Sequence, residues 1–297
     1  MKQYFYKLIY NRNVNFLLRN INKALVLILP RWLRLPPSGI ITIKFNRKTL
    51  KLETNQTSSV TQIIFWDGYR NFEYTNIFIS LIKKVDIFYD IGANIGYYSI
   101  ISSFQNPNIK VFSFEPAAGP LHFLKKNVKL NKLKNIKIES KALSDKTGEI
   151  TFHEIQNKKY KFLKHNLSGE GSTMGVIPGR KFIKRKVETI SLDNYTTSNH
   201  HIIDLIKIDT EGTESLILSQ ASNILKNMKP IIICETLFNT IENQLEEILL
   251  QYGYQFFNHV ERGLKKVDTI KRETDNGVRN CFFVHPEKQH LISEFII

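Results

Sequence analysis

The sequence predicts an α/β fold, a mostly parallel sheet with helices on both faces. Three observations predict it. From residue 85 onward, short apolar runs alternate with segments of helical period, the pattern of repeated strand–helix units. The first of these strands runs directly into a glycine-containing turn, and several strands end in carboxylates, where a ligand crevice forms in such sheets. Hydrophobic residues make up 42% of the 297 and charged residues 23%, which excludes a disordered chain and a membrane bundle.

Taken in order, residues 1–35 carry apolar clusters at Tyr4, Phe5, Leu8 and Ile9 and at Phe16, Leu17, Leu18 and Ile21, interleaved with basic residues. Their spacing predicts one or two short basic amphipathic helices, ended by Pro36 and Pro37. Residues 40–45 and 60–65 read as strands. The regular part then opens with a strand over 85–91, a helix over 95–104, a strand over 109–114 and a helix over 117–131. A third strand follows over 136–139. Residues 144–190 are less regular, with a hairpin strand over 149–154 and a Gly/Ser-containing loop over 168–175. Alternation resumes with a strand over 204–209, a helix over 213–226, a strand over 230–235 and a helix over 239–251. Residues 254–257 and 281–284 supply closing strands. The expected division is a basic extension over 1–80 and a main domain over 81–297.

The net charge of +15 comes from 42 Lys and Arg against 27 Asp and Glu. The first 52 residues hold eleven basic residues and no acidic one, which leaves 31 basic against 27 acidic beyond them. The charge therefore belongs mainly to residues 1–52 and argues against nucleic acid as the partner of the main domain. Cys234 and Cys281 are far apart in sequence and form no CxxC motif. The longest early apolar run, 24–29, is too short for a spanning helix, which needs roughly 20 residues. A cytoplasmic chain is expected, with residues 1–35 as a candidate peripheral contact with an anionic membrane, a cover on the sheet or a dimerisation arm.

Three local signals carry chemistry. Residues 90–99, DIGANIGYYS, follow the first strand, and glycines there allow a tight turn and close approach of a ligand to the backbone. Gly92 and Gly96 without a glycine between them do not make the G-x-G-x-x-G of a dinucleotide site. Asp90 would repel a pyrophosphate but suits a cationic, amino-acid-like ligand end. Glu115, closing the second strand, stands where a carboxylate accepts ribose hydroxyls. Asp209 and Glu211 end the strand over 204–209, and Glu235 ends the next one. Grouped strand-end carboxylates are costly unless they bind cations or polar ligands or accept protons. Glu214 is expected on a solvated helix face.

In order along the chain, DIGANIGYYS (90–99), FEP (114–116), LNKLKNI (130–136), ALSDKTGEITF (142–152), LIKIDTEGTE (205–214) and PIIICE (230–235) resemble the FkbM family of S-adenosylmethionine-dependent methyltransferases. The resemblance spans about residues 85–240. It implies a Rossmann-like class I methyltransferase fold, a seven-stranded sheet whose last strand is antiparallel, and O-methylation of sugars or other hydroxylated small molecules. It also implies that Asp90, Gly92, Asn94 and Gly96 line the methionine part of S-adenosylmethionine, that Glu115 holds the ribose, and that Ser144 and Asp145 lie near the adenine. Asp209 and Glu211 would stand on the reaction side, and the stretch 168–173, with Gly171, Ser172 and Thr173, would cover the site.

An alcohol acceptor needs a base as it attacks the methyl group. Asp209, Glu211 and Glu235 are the candidates, with His153 and His165 behind them. No ligand spacing points to a metal. Two alternatives remain open at this point: an RNA 2′-O-methyltransferase, and a nucleoside-binding fold that serves as an interaction module without catalysis.

Overall fold

The computed structural model describes residues 1–28, 30–45, 48–168 and 182–297. Its centre is an eight-stranded sheet. Five strands are parallel: β3 (Ile87–Ile91), β4 (Lys110–Phe114), β5 (Ile136–Glu139), β9 (Leu205–Ile208) and β10 (Ile231–Glu235). The order across the sheet is β5-β4-β3-β9-β10-β13-β11-β12, where β11 is Gln255–Val260, β12 Gly263–Val267 and β13 Asn280–Val284. β13 runs antiparallel to both neighbours. The seven expected strands are all present, the last one antiparallel. An eighth, β12, is added at the edge as the return arm of a hairpin with β11.

The parallel strands are apolar on both sides because both faces are covered. Phe88, Val111, Leu205, Ile231 and Ile233 face one core, and Tyr89, Phe112, Ile206, Ile232 and Cys234 the other, with the two-residue period of a strand. The second face is covered by α7 (Leu192–Asn199), α8 (Glu214–Ser219) and α9 (Glu242–Leu250). The first face is covered by α5 (Tyr97–Gln105), α4 (Thr75–Leu81) and α3 (Ser59–Asp67), and by the hairpin of β1 (Gly39–Phe45) and β2 (Lys48–Thr54). Ile41, Ile43, Phe45, Leu50 and Leu52 of that hairpin point inward, and Lys44 and Lys51 outward.

Two expectations are corrected. Residues 60–65 are helical, not a strand. The Ser58 hydroxyl accepts from Thr61 N and caps α3, and the buried side of that turn carries Thr61 and Ile64, so packing overrides the β-branched composition. The partner of β1 is β2, whose alternation of Leu50 and Leu52 with Thr49 and Lys51 fits a half-buried hairpin strand. The helix expected over 213–226 is broken. α8 stops at Ser219, and a wider turn follows over Ile224–Met228, started by Asp193, which accepts from the backbone of Asn223 and Ile224.

α1 (Lys2–Ile9) and α2 (Arg12–Ala24) are two short helices, where one or two were expected. No helix among the described residues is long and apolar enough to cross a membrane. α6 (Ala118–Leu130) follows β4. A small second sheet combines β6 (Ala142–Leu143), β7 (Gly148–Ile155) and β8 (Phe182–Ile190), and contains the hairpin strand expected over 149–154. Cys234 and Cys281, distant in sequence, are cross-strand partners in β10 and β13. Both are free thiols, and burial pushes both up, Cys281 to about 11.

Candidate active site

After β3 the chain moves one way across the sheet to β4 and β5, and it returns on the other side of β3 with β9. The carboxyl ends of β3 and β9 therefore form a switch point, where side chains from two separate connections meet over an open crevice. A cavity of about 780 Å³ opens there, within the size of ordinary small-molecule sites. Gly92, Asn94, Glu115, Ser144, Asp209 and Glu211 all line it.

The turn after β3 is bound to β4. Gly92 N and Ala93 N both donate to the Phe114 carbonyl at 3.0 Å. Gly92 has φ +71, and a Cβ there would lie 1.8 Å from the Asp209 carbonyl oxygen, so this glycine lets β9 close against β3. Gly96, expected against a ligand, instead starts α5 in the left-handed region, and a Cβ there would meet Leu124 at 2.4 Å. It is not among the residues lining the cavity.

Glu115 is buried at the end of β4. Its carboxylate accepts Asn94 N at 2.7 Å and Ala117 N at 2.9 Å, and it joins the turn after β3 to the start of α6. Burial pushes its carboxyl up to about 8, against those two amides and the Lys207 ammonium, which favour the charged form.

Asp90 stands behind the cavity wall. One carboxylate oxygen accepts Ser99 N at 3.1 Å and Ser99 Oγ at 2.5 Å. The other has no hydrogen-bond donor among the described residues and lies 3.6 Å from Lys207 Nζ. Burial raises the Asp90 carboxyl, opposed by Lys207 and Ser99. Lys207 is the buried cation of the site. Its Nζ donates to the Gly92 carbonyl at 2.8 Å and lies 3.3 Å from Asp209 Oδ2. Burial alone would lower its affinity for a proton, but Asp209, Asp90 and Glu73 outweigh burial and hold it above the ordinary lysine range.

The turn after β9 is stapled by Glu214. Its Oε1 accepts Thr210 N at 2.7 Å, Thr210 Oγ1 at 2.9 Å and Gly212 N at 3.3 Å, and the side chain is buried. The solvated face expected for Glu214 is therefore wrong: three unpaired donors of a tight turn draw the carboxylate inward. Glu211 is held at φ +59 and carries much of its surface in solvent. Partial desolvation, then Asp209 and Glu214, push its carboxyl up to about 7. Burial, followed by Asp209 and Glu211, pushes Glu235 up to about 8, but Glu235 is not among the residues lining the cavity.

Of the remaining candidates, Ser144 lines the cavity, whereas Asp145 is exposed outside it and accepts from Ser144 Oγ at 3.0 Å. His165 lines the cavity and stacks on His122 at 4.2 Å, and His153 does not reach it. Ser168 lines it too. Gly171, Ser172 and Thr173 lie outside the described residues. No group of three or more His, Cys, Asp or Glu among the described residues is placed to hold a metal ion. Two residues of the site were not singled out from sequence. Lys207 had a signal, since a lone charge in a four-residue apolar strand must be paired where it is buried. Glu73 had none. It reaches the cluster from the turn before α4, where Tyr98 donates to its carboxylate at 2.8 Å.

The family description "Methyltransferase FkbM domain" matches residues 90–256. A curated protein, 31-O-demethyl-FK506 methyltransferase FkbM of Streptomyces tacrolimicus, is 31% identical over 74 residues. The match covers 24% of this chain and 28% of that protein, so it spans little more than a quarter of the relative's length. The crystal structure of methyltransferase FkbM from Methylobacillus flagellatus superposes with a TM-score of 0.44 at 15% identity, covering 67% of this chain and 43% of that chain. A SAM-dependent methyltransferase from Agrobacterium tumefaciens superposes with a TM-score of 0.42 at 10% identity, covering 84% and 71%.

Proposed function

This chain belongs to the FkbM family of methyltransferases, and we propose that it transfers a methyl group from S-adenosylmethionine to a hydroxyl oxygen of a sugar, glycan or other small molecule. The observation that supports the reading is that Glu115 and Asp209, from strand ends on either side of β3, line one cavity. Glu115 would take the ribose hydroxyls, its oxygens already oriented by Asn94 N and Ala117 N. The backbone of Gly92 and Asn94 would border the methionine portion, and Ser144 the adenine. Asp90 would act from behind the wall through Lys207, and Gly96 through the packing of α5. Asp145 would serve only to orient the Ser144 hydroxyl.

Bound there, S-adenosylmethionine supplies an electrophilic methyl group on a cationic sulfur. The chain's own part is to align the acceptor oxygen, exclude water and receive the acceptor proton. Asp209, Glu211 and Glu235 are the groups for that proton. Asp209 and Glu211 line the cavity, and Glu211, held near 7, is matched to proton transfer close to neutral pH.

The test is transfer of labelled methyl from S-adenosylmethionine into fractionated cell extract, with the product identified by mass spectrometry. The expected product carries an O-methyl group on a small molecule or glycan. Failure of the protein to bind S-adenosylmethionine by calorimetry would overturn the reading, and label confined to RNA would replace it with RNA 2′-O-methylation.

A further inference from the structure

α2 is built inside out. Its inward face carries Asn15, Arg19 and Asn22, and its outward face Leu17 and Ile21, flanked by Phe16 and Leu18. Asn15 and Arg19 are 0% and 2% exposed, whereas Phe16, Leu17 and Ile21 are 56%, 58% and 55% exposed. This reverses the usual arrangement of a surface helix, whose apolar stripe faces the core.

The polar residues are not stranded inside. Asn15 Nδ2 donates to the Pro36 carbonyl at 3.2 Å, and its Oδ1 accepts Ser38 N at 2.7 Å. Arg19 donates to the carbonyls of Ser38 and Ile40 at 2.9 and 2.5 Å, and Asn22 Oδ1 accepts Leu35 N at 2.8 Å. The helix is thus fixed to the domain by hydrogen bonds to residues 35–40, and its apolar side chains are left for something else. α1 exposes apolar side chains as well. Tyr6 and Tyr10 rest edge-on against Tyr160, with ring centroids 5.3 and 5.4 Å apart, while Tyr4, Phe5 and Leu8 point outward. Beyond Pro30, Trp32 is exposed too.

Charge decides between occupants. Residues 1–35 carry seven basic residues and no acidic one, and Lys2, Lys7, Arg12, Lys23 and Arg31 are exposed. A second copy of this chain, related by a two-fold axis, would set one cationic, acid-free surface against an identical one. An anionic bilayer offers both complements at once, phosphates for the cations and an acyl boundary for the apolar side chains, with Trp and Tyr at the depth they favour.

We propose that the outward face of α1 and α2, with Trp32, is an in-plane docking surface for an anionic lipid bilayer. Phe5, Leu8, Phe16, Leu17 and Ile21 enter the headgroup–acyl boundary, and Lys2, Lys7, Arg12 and Arg31 meet lipid phosphates. Tyr160, on which α1 rests, also lines the cavity, so docking holds the cavity beside the bilayer surface. The proposal does not depend on methyl transfer.

The experiment is flotation of the full chain with vesicles of phosphatidylcholine alone and of phosphatidylcholine and phosphatidylglycerol in equal parts. Binding to the anionic vesicles is expected to be at least about tenfold stronger and to weaken as salt rises. Leu17→Glu with Ile21→Glu, and separately Lys2→Glu with Lys7→Glu, should each lose most of that binding. Both pairs are exposed, so melting temperature and S-adenosylmethionine binding should stay as in the parent. Trp32 fluorescence should shift to the blue on anionic vesicles only, with Trp32→Phe removing the shift. Equal binding to neutral and anionic vesicles, or unchanged flotation of the Leu17→Glu/Ile21→Glu variant, overturns the proposal. So does a dimer in sedimentation that this variant dissolves, which would make a second copy the occupant.

Discussion

Lys207 and Asp209, two residues apart at the end of β9, turn to the same side of the strand, with Nζ 3.3 Å from Oδ2. The same Nζ reaches Asp90 and the Gly92 carbonyl. One buried ammonium thus holds the ends of two adjacent strands and the turn that follows β3. Removing one partner of a buried ion pair leaves the other charge uncompensated, which costs about 3–5 kcal/mol. Lys207→Met should therefore destabilise the fold by about that amount in urea unfolding. Adding Asp90→Asn should restore part of the loss, because the stranded carboxylate is then gone. Additive losses in the double variant would mean that the two side chains are not coupled.

Glu115 should control cofactor affinity. Glu115→Gln keeps the volume but replaces one acceptor oxygen with a donor, beside Asn94 N and Ala117 N, which are both donors. A hydrogen bond to a charged group contributes about 1.5–3 kcal/mol, so S-adenosylmethionine binding should weaken roughly 10- to 150-fold by calorimetry. Unchanged affinity would remove Glu115 from the site.

The fold was legible where local signal and tertiary demand agree. Strands β3, β4, β9 and β10 are apolar because both faces are covered, and their ends in Asp90, Glu115, Asp209 and Glu235 could be read directly. The site was less legible where burial decides. Glu214 reads as a surface helix residue until its carboxylate is seen to satisfy the amides of its own turn. Residues 60–65 carry strand composition, and only the cap at Ser58 and the core beneath Thr61 and Ile64 make them a helix. Gly96 answers a demand that its motif does not spell out, since its left-handed φ of +86 starts α5 beside Leu124. Glu73 enters the cluster through a tertiary contact with Tyr98, for which no sequence pattern exists.

Gly92 and Gly212 make a contrast that separates close approach from backbone strain. Both have positive φ, but a Cβ at Gly212 meets nothing within 4 Å, whereas one at Gly92 would overlap the Asp209 carbonyl. Gly212→Ala should lose about 1 kcal/mol, the cost of an L-residue in that region. Gly92→Ala should lose several times as much and abolish S-adenosylmethionine binding, because β9 can no longer close on β3. Equal melting temperatures for the two variants would contradict the packing at Gly92.

Stability of the ligand-free protein should fall as pH rises from about 6.5 to about 8. Glu115 and Glu235, held near 8, and Glu211, near 7, bind more protons when folded than when unfolded, where they release them near 4.5. Their contribution is present at low pH and is lost as pH climbs through the folded values. Below about 6.5 the slope is opposed, because His122, His165, His201, His259 and His285 are shifted downward and favour the folded state as pH rises through their range. Melting temperature followed from pH 6.5 to 8 should decline, and less steeply in Glu235→Gln. A rising curve in that window would contradict the raised carboxylates.

The base can be identified by which substitution moves the acid limb of the pH–rate profile. If Glu211 receives the acceptor proton, kcat/KM should rise with pH through a limb near 7, and Glu211→Gln should abolish the limb and lower kcat by roughly 10²–10⁴. If Glu235 does, the limb should lie near 8 and respond to Glu235→Gln instead. Asp209→Asn is expected to depress kcat in either case, because Asp209 neutralises Lys207 and its charge helps raise both other carboxyls. That variant should also move the limb to lower pH, since a neutral neighbour no longer opposes ionisation of Glu211 or Glu235. A limb that stays in place in Glu211→Gln and in Glu235→Gln but vanishes in Asp209→Asn would assign the proton to Asp209 itself. Full turnover in Asp209→Asn would exclude Asp209 as the base.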